Sequence, residues 1–215
     1  MQFETQRLIL RPWQPAIDAR HAMDIYGDEQ VARWVSDGRA DTSIRSVQGR
    51  LQGYLDNRDQ SIVGSWAVEQ KDIGRVIGHV LLITLPDLRN TWPTGNLWAE
   101  LRQHSTEHAD VQYPDGKDTH YVEIGWHFRR SSWGFGYATE AALRITSYAF
   151  EALKLPILLA VSDPENERSV AVMKRLGMQY DGFTTRYYRG KPLLLYKLSP
   201  ESAAAARYRQ RAKEL

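Results

Sequence analysis

The chain contains no cysteine. That excludes a disulfide framework, a thiolate nucleophile, an iron–sulfur cluster and any cysteine-ligated zinc site, and it fits a reducing compartment. Long apolar runs are missing too. The stretches at 80–85 and 157–161 fall far short of the roughly 20 residues that span a bilayer, and residues 1–5 lack the basic start of a signal peptide. The expectation is a cytoplasmic protein with no membrane partner. An excess of one charge is also absent: 28 Lys/Arg stand against 26 Asp/Glu, and the segment 199–215 alone carries that surplus of two. No basic stripe interleaved with aromatics appears, so no nucleic-acid partner is expected. The phosphate-loop pattern GxxxxGK[ST] occurs nowhere, which removes that class of nucleotide-binding fold.

What is present is an ordinary globular composition, 42% hydrophobic over 215 residues, enough for one domain with a sizeable core. Leu8-Ile9-Leu10 reads as a short strand, and 16–35 as helix split in two by Gly27-Asp28. Residues 43–56 place Ile44, Val47, Leu51 and Leu55 on one helical face. Two β-branched runs, 62–70 and 75–85, flank a hairpin-like Lys71-Asp72-Ile73-Gly74. A long polar stretch at 86–119 reads as an insertion or lid. Beyond it come a strand at 120–128, a helix at 136–154, an apolar strand at 157–162 and a helix at 163–177 capped by Asn166 and closed by Gly177. Strands at 178–188 and 192–198 follow, and 199–215 reads as a helical tail. The pattern predicts an α/β fold: one domain over 1–198 with a mixed, mostly antiparallel sheet flanked by helices.

The strongest chemical signal is Trp133-Gly-Phe-Gly-Tyr-Ala-Thr-Glu-Ala141, glycines between a strand and a helix. Gly134 and Gly136 let backbone approach a ligand closely, and the unpaired N–H groups of the first helical turn suit a phosphate or pyrophosphate. Glycines that merely allow a tight turn would read the same way. A dinucleotide fingerprint needs Gly or Ala at its sixth position, where this chain has Thr139, although Asp163 stands where a ribose-binding acid would. His104-Ser-Thr-Glu-His108 matches the pattern of inverted zinc proteases, but it lies in a polar stretch without an apolar-periodic helix, so no metal is expected. On the strand at 120–128, alternation puts Glu123, Gly125 and His127 on one face and Ile124, Trp126 and Phe128 on the other.

Taken together, Thr5-Gln-Arg-Leu-Ile-Leu-Arg-Pro12, Gly74-Arg-Val-Ile-Gly78, Glu123-Ile-Gly-Trp126, Trp133 to Ala141, Asp163-Pro-Glu-Asn-Glu-Arg-Ser169 and Leu176-Gly177-Met178 make a chain that resembles the GNAT superfamily of acyl-CoA N-acyltransferases. The branch it is similar to holds the ribosomal-protein N-terminal acetyltransferases. The family signature falls on Trp133-x-x-Gly136-x-Ala138, with Trp where Gln or Arg is usual. The resemblance implies a V-shaped splay between the fourth and fifth strands read here, 120–128 and 157–162, with acetyl-CoA between them. Its pantetheine would pair near Trp126, His127 and Phe128, and its pyrophosphate would sit on Gly134, Phe135, Gly136, Tyr137, Ala138 and Thr139. Asn166 matches a residue on the cofactor arm and Ser169 one near the thiol.

Many family members carry a Tyr acid seven residues beyond that Asn; here the position is Met173. Ser169 or a water is left to serve the leaving thiolate, and the base that takes the amine's proton is Glu123, with His127 as second choice. The implied activity is direct transfer of an acetyl group to a primary amine in a ternary complex. The acceptor is left open among a protein N-terminus, a lysine, a polyamine and an aminoglycoside, with the branch favouring an α-amine. A homodimer is also left open. The competing reading is a non-catalytic acyl-CoA-binding or sensing module.

Overall fold

The computed structural model describes residues 1–56, 62–85, 122–185 and 187–204. Within these, eight strands form one sheet: β1 (Phe3–Glu4), β2 (Leu8–Arg11), β3 (Ile62–Gln70), β4 (Arg75–Thr84), β5 (Val122–Phe128), β6 (Leu158–Ser162), β7 (Gln179–Thr184) and β8 (Leu193–Leu198). Their order is β1-β2-β3-β4-β5-β6-β8-β7. Every neighbouring pair is antiparallel except β5 and β6, which run parallel. The helices are α1 (Pro15–Tyr26), α2 (Glu29–Ala32), α3 (Ile44–Asp56), α4 (Tyr137–Glu151) and α5 (Glu167–Leu176); residues 200–204 are helical as well. The expected α/β fold with a mostly antiparallel sheet is therefore observed. The 86–119 insertion and its His104 and His108 lie outside the described residues, as does most of the tail.

Alternation along the strands gives the sheet two apolar faces. One receives α4 and α5, where Ala141, Ala142, Ile145, Met173 and Leu176 pack over Trp66, Val68, Ile124 and Phe128. The other receives α1 and α3, where Ala22, Ile25, Val47 and Leu51 pack over Ala67 and Val76. Asn166 Oδ1 accepts the Ser169 N–H at 3.2 Å to start α5, and Gly177 closes that helix with φ +83°.

Two readings change. Phe3–Glu4 forms a two-residue edge strand paired to Leu10 and Ile9, too short to leave a periodic signal, though Phe3 is buried. The strand expected over 178–188 stops at Thr184, and Tyr188–Gly190 is a 3-10 turn. Tyr188 at φ +49° and Gly190 at φ +79° are incompatible with extended chain, and the reversal they make lets β8 return antiparallel to β7.

The β2 end is fixed electrostatically. Fully buried Asp18 accepts from Arg11 Nη1 and Nη2 at 2.8 and 2.9 Å and from the Gln14 N–H at 2.7 Å. Arg11 also donates to Glu69 at 2.8 Å, and these carboxylates push its pKa above its ordinary value against the opposing effect of burial.

Candidate active site

β5 is paired with β4 from Val122 to Phe128, whereas its register with β6 is limited to Glu123↔Leu159. Beyond that point the two parallel strands part. This is the splay the sequence reading placed there, and a cleft of about 710 Å³ opens from it. Among the described residues no strand pairs with the outer edge of β5 beyond Glu123, so outward backbone groups there are left for a ligand.

The far wall of the cleft is the loop into α4. Gly134 and Gly136 adopt φ +85° and +81°, a region that side chains disfavour, and a Cβ on Gly134 would meet nothing within 4 Å. Gly136 is the N-cap of α4, and among the described residues no side chain caps that helix, which leaves its first-turn N–H groups for a ligand. Gly134, Gly136, Tyr137, Ala138 and Thr139 all line the cleft, as do Asn166 and Ser169 from the start of α5. Phe135 stands apart: it is 61% exposed and stacked on Tyr137 at 5.9 Å, and its carbonyl accepts from Arg7 Nη1 at 3.0 Å. The Arg7 side chain also pairs with Glu140 at 2.6 Å, and Glu140 accepts in addition from Thr5 Oγ1. The carboxylate in the first turn of α4 is thus neutralised by β2's approach rather than facing the loop.

Trp133, at the head of the signature, donates its indole N–H to the Phe128 carbonyl at 2.8 Å. The bond ties the loop to the end of β5, and it leaves the indole with no donor for a ligand.

Glu123 sits where the strands part. It is buried, its Oε2 accepts a hydrogen bond from the Tyr188 hydroxyl, and the Val161 N–H donates to it as well. Burial pushes its carboxyl up to about 7, with the two hydrogen bonds holding it from rising further. Burial and the Glu123 charge in turn hold the Tyr188 phenol well above its ordinary pKa, so Tyr188 stays protonated and remains a donor. Tyr188 lines the cleft with Glu123, and the residue is 41% exposed. Sequence reasoning missed it. The available signal was the turn chemistry of Tyr187-Tyr188-Arg189-Gly190 before Pro192, but nothing in it specifies a partner 65 residues away.

His127 lies on the same strand face as Glu123, four residues along β5, and packs against Tyr26 of α1 and its strand partner His79. Burial, with the Arg50 charge adding to it, lowers its pKa to about 4, and its Nδ1 is buried without a hydrogen-bond partner among the described residues. His79 is also buried and uncharged, its Nδ1 bonded to the Tyr26 hydroxyl at 2.8 Å and its Nε2 to Ser65 Oγ at 2.9 Å. Of the two titratable groups proposed for the reaction, Glu123 therefore titrates near neutrality and His127 well below it.

The family described as Acetyltransferase (GNAT) domain matches residues 7–179. The chain is 44% identical over 64 residues to the uncharacterized N-acetyltransferase YnaD of Bacillus subtilis (strain 168), a match covering 30% of this chain and 38% of that protein. A second relative in the same organism, the uncharacterized N-acetyltransferase YoaA, is 23% identical over 184 residues, 86% of each chain. Among solved structures, a GNAT-family acetyltransferase from Bacillus anthracis superposes with TM-score 0.65 at 19% identity, covering 94% of this chain and 99% of that one. Mycobacterium smegmatis RimJ in complex with CoA-disulfide superposes with TM-score 0.64 at 20% identity, covering 93% and 87%. With that family match running over residues 7–179, this chain belongs to the GNAT acetyltransferase family.

Proposed function

We propose that this protein is an acetyl-CoA-dependent N-acetyltransferase acting by direct attack of a primary amine in a ternary complex. The observation that carries the reading is Glu123, a buried carboxylate titrating at about 7 at the point where β5 and β6 part. The residues present fit the donor: among the described residues the outer edge of β5 has no strand partner beyond Glu123, which suits the amide-rich arm, and the α4 N-terminus has no side-chain cap, which with its two positive-φ glycines suits the pyrophosphate. RimJ, of the same fold, was solved with a CoA-derived ligand. Acetyl-CoA supplies an acetyl thioester whose thiolate leaves.

Glu123 takes the proton released as the amine's C–N bond forms. Because a carboxyl of pKa about 7 is a stronger acid than a thiol near 8.5, the same group can return that proton to the leaving sulfur as the C–S bond breaks. Tyr188 steadies the carboxyl throughout by its hydrogen bond to Oε2. Asn166 and Ser169 border the donor arm, and Ser169 is the hydroxyl available near the sulfur.

The same magnitudes favour one acceptor class. Moving a proton from an α-ammonium near 7.7–8.0 to Glu123 at about 7 is uphill by about 1.0–1.4 kcal/mol, whereas a lysine ammonium near 10.4 costs about 4.6 kcal/mol. His127 at about 4 would raise the α-amine figure to about 5 kcal/mol. A peptide N-terminus, or a small-molecule amine of similar pKa, is thus the preferred acceptor.

The test is release of free CoA from acetyl-CoA with a panel of peptides carrying either a free N-terminus or only a free lysine. The reading expects turnover with free N-termini and, at pH 7.5, lower kcat/KM with lysine. Binding of acetyl-CoA without accelerated release on any amine would support the sensing module instead.

A further inference from the structure

We infer that Arg168 binds the donor's pyrophosphate, supplying the positive charge that the glycine loop itself lacks. The inference rests on the reading of the cleft as an acyl-CoA site. Four cationic side chains line the cleft: Arg33, Arg168, Arg175 and Lys191. Two are already paired, Lys191 with Asp163 at 2.6 Å and Arg33 with Glu165 at 3.6 Å. Arg168 and Arg175 form no ion pair among the described residues. Of these two, Arg168 lies with its guanidinium over the Trp133 ring, 4.8 Å from the centroid, immediately beside Gly134 where the anion loop begins.

That arrangement has a physical logic. The loop's backbone donors carry only partial charges, and the Arg7 guanidinium, which approaches Gly136, is taken up by Glu140 and the Phe135 carbonyl. Trp133 offers no donor, because its N–H is bonded to the Phe128 carbonyl. Its ring face holds Arg168 by a cation–π contact and restricts a long side chain that would otherwise sweep freely from the exposed first turn of α5. A guanidinium held over an indole face retains N–H groups for an oxyanion, and such charge-assisted bonds are the strong ones. The one residue that departs from the usual signature thus positions a cation donated by a neighbouring helix.

The test compares the full-length wild type with Arg168→Gln by calorimetric titration of CoA and of 3′-dephospho-CoA, which keeps the pyrophosphate and lacks the 3′-phosphate. Arg168 is exposed, so the melting temperature without ligand is expected to be unchanged. Affinity for both ligands should fall about tenfold. Equal affinity of variant and wild type for both would overturn the assignment, as would a loss confined to CoA, which would move Arg168 to the 3′-phosphate. If the wild type itself binds neither ligand, the acyl-CoA reading of the cleft fails and this inference falls with it.

Discussion

Replacing Glu123 by Gln removes a group whose ionisation is opposed by the fold, and the consequence for stability can be worked out. Its carboxyl titrates at about 7 folded against 4.5 unfolded. Because the folded pKa is raised, the folded state binds more protons between those values, so Glu123's contribution is favourable below 4.5 and is lost as pH rises through 7. That rise from 4.5 to about 7 amounts to about 3 kcal/mol between pH 4.5 and 8.5. Gln fills nearly the same volume and still accepts from Tyr188, so the variant lacks that loss. Urea unfolding of both proteins at pH 4.5 and 8.5 should show Glu123→Gln gaining about 3 kcal/mol on the wild type over that range. His79 and His127, whose pKa values are lowered by burial, act in the opposite direction as pH falls, but they are common to both proteins and cancel in the difference. A stability difference that does not change with pH would refute the burial argument for Glu123.

Two further predictions concern the scaffold. Gly78 pairs with Phe128 across β4 and β5, and an added Cβ would lie 2.4 Å from the ring. Gly78→Ala should cost about 1–3 kcal/mol in denaturant unfolding and weaken CoA binding by displacing the end of β5. Asp18→Ala leaves Arg11 half-buried with one of its two carboxylate partners gone, and a loss of about 3–5 kcal/mol is expected in the same assay.

How legible the site was depended on how local each feature is. The hairpin at Lys71 to Gly74, the break at Gly27-Asp28 and the caps Asn166 and Gly177 are written in neighbouring residues, and the structure has them there. The alternation placing Glu123 and His127 on a separate face from Ile124 and Phe128 is likewise a period of two read directly. Tyr188 could not be read, because its role depends on a 3-10 turn swinging a phenol back to β5, and a run of Phe, Thr and Tyr looks like continued strand. The same limit hid the tie between Arg7 and Glu140, 133 residues apart, and the stacking of Arg168 on Trp133. Each is a contact between elements whose registry is set by packing rather than by propensity. The separation in titration between Glu123 and His127 was similarly out of reach, since it depends on how deeply the fold buries each, burial raising the carboxyl and lowering the imidazole.

The most direct test of the account is the pH dependence of CoA release at saturating acetyl-CoA and peptide. The wild-type kcat should rise with pH through an apparent pKa near 7, and Glu123→Gln should lower the rate at pH 8 by about 10²-fold or more and abolish that limb. A variant that turns over at the wild-type rate with the same limb would contradict the assignment of Glu123 as the base.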